Sequence, residues 1–214
     1  DTGPNTGGMG TYSDVDHSLP FLNKDDIEQA KNINIKTAEA LKNKYGEGYK
    51  GILYGGFMAT SNGVKLIEYN SRFGDPEAMN VLSILETDMI DICNAIVTRT
   101  LGKLNVKFKN KATVCKYAVP EGYPDDPIKG EPIDVSSVSD PDSIFFASVD
   151  IKNDGLIEVG SRTVAVVGIA DSITDAEKIA EKEISRVKGP LFHRRDIGTT
   201  KLIKKRIDHM RTLR

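Results

Sequence analysis

The stretch Lys65–Glu77, reading Lys-Leu-Ile-Glu-Tyr-Asn-Ser-Arg-Phe-Gly-Asp-Pro-Glu, constrains the fold more than any other. Val64, Leu66, Glu68 and Asn70 alternate with Lys65, Ile67 and Tyr69, the period of a β-strand. Glu68 and Asn70 therefore share a face, with Arg72 beyond them if the strand persists. Gly74 suits a sharp bend. Asp75 then reads as a helix N-cap, Pro76 as the first helical residue and Glu77 as an acid at the positive end of the helix dipole. A carboxylate, a carboxamide and a guanidinium in one place admit two readings. The oxygens suit a hard cation such as Mg²⁺ shared with nucleotide phosphates, and the arginine suits a phosphoryl group in transfer. Alternatively the face is a solvated edge strand. Alternation alone leaves both open.

Composition narrows the field around that stretch. The chain has 214 residues, enough for one large domain or two small ones. A formal net charge of −2 gives no reason to expect a nucleic-acid surface, and no apolar run reaches the length of a membrane span. Cys93 and Cys115 are far apart and form no CxxC motif, so both read as reduced, packed thiols of a cytoplasmic protein. The first residue is Asp1, and a glycine-rich loop follows at once, which reads as a fragment or a processed chain.

That loop, Asp-Thr-Gly-Pro-Asn-Thr-Gly-Gly-Met-Gly-Thr-Tyr-Ser from Asp1 to Ser13, offers backbone N–H groups to a ligand at close range. It is neither a P-loop nor a dinucleotide fingerprint. Periodicity predicts a helix over Lys24–Tyr45, capped by Asn23, striped by Ile27, Ala30, Ile33, Ala38 and Leu41, and stopped by Gly46. Strands over Gly51–Thr60 and Val64–Asn70 flank Ser61-Asn62-Gly63 as a hairpin. Helices follow over Pro76–Leu85 and Asp88–Leu101. The second reads as capped by Thr87, with Met89, Ile92, Cys93, Ile96 and Val97 on its core face.

A polar, basic segment at Asn105–Asn110 marks a domain boundary, dividing the chain into residues 1–104 and 105–214. Beyond it lie a strand over Ala112–Val119 and an irregular loop over Pro120–Pro132. Strands over Ile144–Ile151 and Leu156–Ile169 are joined by an Asn153-Asp154-Gly155 turn. A helix opened by a Thr174/Glu177 capping box runs to Lys188, and a last helix covers Thr200–Leu213. The fold class is α/β, in the α+β sense, with antiparallel sheet and flanking helices.

Two segments together carry a family resemblance. The opening loop through Gly10 and Arg72-Phe-Gly-Asp-Pro-Glu77 closely resemble signature segments of the glycinamide ribonucleotide synthetase family, ATP-grasp ligases of purine biosynthesis. Gly160-Ser-Arg-Thr-Val164 and Arg194-Arg-Asp-Ile-Gly198 resemble later family segments, in the right order. The resemblance covers essentially the whole chain and places it as the carboxy-terminal half of such an enzyme. On that basis residues 1–104 are the later part of an ATP-grasp domain, and residues 105–214 a small α/β domain. The amino-terminal part of the same enzyme, with its clamp for ATP, would be a necessary partner.

The resemblance implies ligation of glycine to 5-phosphoribosylamine through glycyl phosphate, with ATP and Mg²⁺ or Mn²⁺. It assigns Glu68 and Asn70 to the metal and Arg72 to the transferring phosphoryl group. Asp1, Asn5, Thr6, Gly7 and Gly8 would hold glycine or the ribosylamine, Asp75 would orient the amine, and Arg162 would meet the ribose phosphate. For Asp75 a plain N-cap, and for Arg162 a surface ion pair, are the competing readings. One departure stands out. ATP-grasp enzymes usually carry a second metal-binding Glu or Gln on the preceding strand, about a dozen residues before the main glutamate, where this chain has Gly56 and a strand without acid or amide. The alternatives are a related ATP-grasp ligase or carboxylase, against which the opening loop argues, and a non-catalytic module carrying half a site.

Overall fold

The computed structural model describes residues 3–153 and 155–214. The substrate-loop candidate Asp1, and Asp154 of the predicted turn, lie outside the described residues. Ten strands and five α-helices occur among them, in antiparallel sheets. The chain forms two compact units that interleave in sequence. One gathers the described part of Asp1–Leu19 with Asp75–Ser83 and Asn110–Ile203; the other gathers Pro20–Gly74, Ile84–Lys109 and Lys204–Arg214.

The larger unit is built on β4 (Ala112–Pro120), the centre of a five-stranded sheet. Along one edge of β4 lie β1 (Gly10–Ser13) and β10 (Leu191–His193), one pairing with residues 113–116 and the other with residues 118–120. Along its other edge runs β9 (Val164–Ala170), which pairs in turn with β6 (Ile144–Phe146). Every residue of β4 is buried, because helices cover both faces. On one, α4 (Ile173–Ile184) lies so close that a Cβ on Gly168 would fall 2.0 Å from the Ala176 carbonyl oxygen. On the other, Asn80 of α2 (Glu77–Ser83) donates to Thr113 Oγ1 at 2.9 Å. A strand covered on two sides has no reason to alternate, and Ala-Thr-Val-Cys-Lys-Tyr-Ala-Val does not.

The smaller unit pairs β2 (Tyr54–Thr60) with β3 (Gly63–Asn70) as the expected hairpin. Helix α1 (Lys24–Tyr45) packs on that hairpin. Asn23 caps α1 in a reciprocal box with Asp26, and Gly46 closes it in the left-handed conformation. Tyr69 Oη donates to Asn34 Oδ1 at 2.9 Å, and Gln29 Oε1 accepts from the Val64 amide at 3.0 Å. Helix α3 (Met89–Val97) and α5 (Thr200–Leu213) complete the α-helices.

Several local expectations are corrected. The opening loop ends in a strand, β1, because Gly10–Ser13 finds the open edge of β4. The long strands expected over Ile144–Ile151 and Leu156–Ile169 each break in two. Their outer parts form β7 (Val149–Lys152) and β8 (Gly155–Glu158), in a separate sheet with β5 (Pro132–Ile133). The crossing point is tight: a Cβ on Gly160 would sit 2.3 Å from Ser148. Helix α3 is capped by Asp88, whose carboxylate reaches the Ile90 amide at 2.7 Å, while Thr87 Oγ1 accepts from the Lys107 amide. Helix α3 stops at Val97, and the chain tightens into a 3₁₀ turn at Leu101–Lys103. Its buried residues are Ile92 and Ala95, leaving Val97 exposed. Cys93 is exposed as well, so only Cys115 is a packed thiol. Helix α4 takes Ser172 and Asp175, not Thr174 and Glu177, as its cap, since Ser172 Oγ stands at the residue whose backbone is still extended.

Candidate active site

Glu68 and Asn70 sit on the same face of β3, two residues apart, with Asn70 Nδ2 donating to Glu68 Oε1 at 3.1 Å. That bond turns the amide nitrogen to the carboxylate and leaves Asn70 Oδ1 for another partner. Directly across the hairpin from Glu68 stands Gly56, and β2 carries no acid or amide side chain. Among the described residues, no group of three or more His, Cys, Asp or Glu side chains gathers as for a metal ion. What β3 offers is two hard oxygen donors, which suit Mg²⁺ or Mn²⁺ if water and phosphate fill the remaining positions.

Arg72 lies past the end of β3, so the strand does not carry it. Its Nη1 donates to the Phe73 carbonyl at 2.7 Å, and the residue is otherwise exposed. Glu68, Asn70 and Arg72 all belong to the smaller unit.

The larger unit holds a second cluster, centred on Asp75. Sequence reasoning made Asp75 an N-cap, but α2 begins at Glu77 and the carboxylate faces elsewhere. Tyr117 Oη donates to its Oδ1 at 3.0 Å, and Arg162 Nη2 donates to its Oδ2 at 2.6 Å. Arg162 Nη1 also donates to the carbonyls of Gly8 and Asp75, each at 3.1 Å. Its guanidinium lies 5.0 Å from the centre of the Tyr117 ring, a cation–π distance. The Arg162 ion pair is therefore not a loose surface contact. It ties the opening loop to the start of the Asp-Pro-Glu segment, and its donors are directed at protein oxygens.

Burial, reinforced by the charge of Asp75 and the hydrogen bond to it, pushes the Tyr117 phenol well above its ordinary range. Tyr117 therefore stays a neutral donor at any physiological pH. Burial, with Asp75 and Glu77 nearby, raises the Cys115 thiol in the same way, which removes it as a nucleophile.

The glycines explain the closeness of the loop. A Cβ on Gly8 would lie 2.6 Å from Pro76 Cδ and 3.2 Å from the Asp75 carbonyl. One on Gly7 would lie 3.0 Å from Tyr123 Oη. The loop thus touches both the Asp75 segment and the chain beyond β4. Asn5 and Thr6 are exposed and line a cavity of about 600 Å³ whose other walls include Tyr123, Phe192, Arg194 and Asp196. Arg194 and Asp196 are themselves paired at 2.6 and 3.0 Å, which holds the Asp196 carboxyl below the usual carboxylate range.

Sequence reasoning missed Tyr117 and Tyr123, since lone tyrosines carry no pattern. It also missed a charged group on the far face of β4. Lys116 is fully buried, and its Nζ meets Glu177 at 2.6 Å, Glu181 at 2.7 Å and the Arg195 carbonyl at 3.1 Å. His193 Nε2 lies 3.2 Å from both oxygens of Glu181. The signals that could have found it are a lysine inside an apolar strand and two glutamates one helical turn apart.

Comparison with known proteins places these clusters in context. The phosphoribosylglycinamide synthetase ATP-grasp (A) domain profile matches residues 1–78, and the C domain profile of the same family matches residues 113–200. The phosphoribosylamine–glycine ligase of Methanocaldococcus jannaschii is 54% identical over 217 residues, covering 100% of this chain and 49% of that relative. The ligase of the same name from Methanosarcina barkeri is 54% identical over 214 residues, with the same coverage. The chain thus spans about half the length of the curated relatives it matches. Among solved structures, the phosphoribosylamine–glycine ligase of Thermotoga maritima superposes with a TM-score of 0.79 at 28% identity, over 92% of this chain and 48% of that one. The biotin carboxylase domain of a thermophilic 2-oxoglutarate carboxylase, at 16% identity and a TM-score of 0.56, shares the fold over 90% of this chain and 41% of its own.

Proposed function

The chain belongs to the phosphoribosylglycinamide synthetase family, and from that membership we propose that it supplies about half of an ATP-dependent ligase joining glycine to 5-phosphoribosylamine. Residues 1–104 then form the later part of the ATP-grasp domain and residues 105–214 the small carboxy-terminal domain. The observation that carries this reading is the presence of two features in one chain. Two hard oxygen donors stand on β3, and a glycine loop is held against Asp75 by a dedicated arginine.

The reaction has two displacements. The glycine carboxylate oxygen attacks the γ-phosphorus of ATP, forming glycyl phosphate and releasing ADP. The amine nitrogen of phosphoribosylamine then attacks the carbonyl carbon, phosphate leaves with the electron pair, and the nitrogen loses a proton. A carboxylate is a poor acyl donor, and phosphorylation supplies the leaving group. Protein catalysis of such a transfer is mostly positioning and charge compensation.

Glu68 and Asn70 would hold the divalent cation, Mg²⁺ or Mn²⁺, which when bound neutralises charge on the nucleotide phosphates. With glycine at position 56, the remaining ligands come from water, phosphate or residues beyond this chain. Arg72 donates to its neighbour's carbonyl, and its exposed guanidinium is assigned to the phosphoryl group in transfer. Asn5, Thr6, Gly7 and Gly8 form the wall for glycine or the ribosylamine, and the resemblance adds Asp1 to the same substrate loop. Asp75 would orient the amine, a reading supported by a carboxylate held rigid, with one oxygen bound by Tyr117 and the other by Arg162. The resemblance makes Arg162 a candidate for the ribose phosphate, with a surface ion pair as the competing reading. Its bonds to the Gly8 and Asp75 carbonyls and the Asp75 carboxylate also support a role in holding the loop. The two free cysteines suit a cytoplasmic setting.

The test is reconstitution. This chain would be joined to the first half of the Methanocaldococcus jannaschii relative and assayed for glycine-dependent ADP formation with phosphoribosylamine. Arg72→Ala should lower kcat by roughly 10²-fold or more, as loss of a transition-state donor does, with little change in the KM for ATP. Equal losses in both would make Arg72 a ground-state binder.

A further inference from the structure

Tyr123 lies in the turn after β4, far in sequence from the opening loop, yet its hydroxyl accepts a hydrogen bond from the Gly7 amide at 2.9 Å. The same loop is gripped one residue later by Arg162, which binds the Gly8 carbonyl. The peptide before Gly7 is therefore held through its N–H and the peptide after Gly8 through its C=O. Glycine at position 7 is what permits the approach, because a Cβ there would stand 3.0 Å from Tyr123 Oη and 3.5 Å from Arg162 Nε. Tyr123 is half-buried and lines the same cavity as Asn5 and Thr6.

We propose that Tyr123 is a positioning residue: its hydroxyl anchors the Gly7 amide and so fixes Asn5 and Thr6 for the amine substrate. This rests on the ligase reading above for its chemistry, but not for its geometry. The competing role is a plain packing residue, whose ring fills space while the hydroxyl does nothing. Removing only the oxygen separates the two, since phenylalanine keeps the ring.

The first measurement uses the 214-residue chain itself, by backbone ¹⁵N relaxation. In Tyr123→Phe the order parameter at Gly7 and its neighbours should fall to below about 0.6, from the rigid range of about 0.85, with the melting temperature unchanged. Unchanged order at Gly7 overturns the proposal. A second variant tests contact directly. Gly7→Ala should disturb the loop less in the Tyr123→Phe background than alone, because the oxygen nearest the new methyl is gone. Strict additivity of the two overturns the contact.

The third measurement uses the reconstituted enzyme described above. Tyr123→Phe should raise the KM for phosphoribosylamine about fivefold, the loss of one ordinary hydrogen bond, and leave the KM for ATP unchanged. An unchanged KM for the amine, with a loosened loop, would overturn the link to substrate. Absence of any ligation by the reconstituted wild type would instead sink the ligase reading, while the relaxation result would still decide whether Tyr123 holds the loop.

Discussion

At the scale of single residues, the site is governed by what is missing as much as by what is present. Gly8 has no side chain, and that absence lets its backbone lie against Pro76 and the Asp75 carbonyl. Gly8→Ala places a methyl 2.6 Å from a proline ring atom, which cannot rotate away. The loop must therefore shift, and the Arg162 bond to the Gly8 carbonyl lengthens or breaks. A destabilisation of about 1–3 kcal/mol is expected, the usual range for overpacking. Urea unfolding of the variant checks the magnitude, and an unperturbed Gly8 environment in its crystal structure would refute the account. The glycine loop was legible in the sequence as a loop. That Gly7 and Gly8 answer to two different partners was not, because those partners, Tyr123 and Arg162, lie more than a hundred residues away.

At the scale of elements, β4 shows how one strand can serve two faces with opposite chemistry. Tyr117 points to Asp75, and the neighbouring Lys116 points to α4, where Glu177 and Glu181 receive it. Alternation along a strand makes that division automatic. Lys116 is buried with two carboxylates. Replacing it by alanine leaves those acids without their cation, and a loss of about 3–5 kcal/mol is expected. The same cluster sets an acid limb of stability. Burial opposes charge on Glu181, but hydrogen bonds from Lys116 and His193 outweigh it and hold its carboxyl below the usual carboxylate range. A depressed carboxylate contributes stability that is complete above its unfolded pKa and is lost as pH falls through the folded value. Stability should therefore decline as pH drops below about 4.5, and the decline should be shallower in Lys116→Ala. Urea midpoints measured from pH 7 to pH 3 would show it, and parallel acid limbs in both proteins would refute the assignment.

At the scale of the whole molecule, the side chains proposed for the site are divided between two compact units. The smaller unit holds Glu68, Asn70 and Arg72, and the larger holds the glycine loop, Asp75 and Arg162. Its curated relatives are about twice as long. Assayed alone, the 214-residue chain is therefore expected to show no glycine-dependent ATP hydrolysis. Measured turnover by the purified chain, at a rate comparable with the reconstituted enzyme, would overturn that expectation. No helix among the described residues is long and apolar enough to cross a membrane.

By itself the sequence determined the elements whose signals are local. Helix α1 runs from Lys24 to Tyr45 as its caps require, the hairpin around Asn62 pairs as its turn requires, and α5 covers Thr200–Leu213 as its period requires. It also determined the family, since motif order survives without coordinates. The tertiary structure decided what depends on partners distant in sequence. It took Asp75 from helix cap to ion-pair centre, because Tyr117 and Arg162 outcompete the α2 amides for its carboxylate. It turned Gly10–Ser13 into a strand, because β4 had an unpaired edge there. It split two long strands at Ser148 and Gly160, where the chain passes between sheets. It buried Lys116, which local polarity alone would have left in water. Local periodicity reports only a residue's own neighbours, whereas hydrogen-bond satisfaction and burial are set by whatever the fold brings alongside.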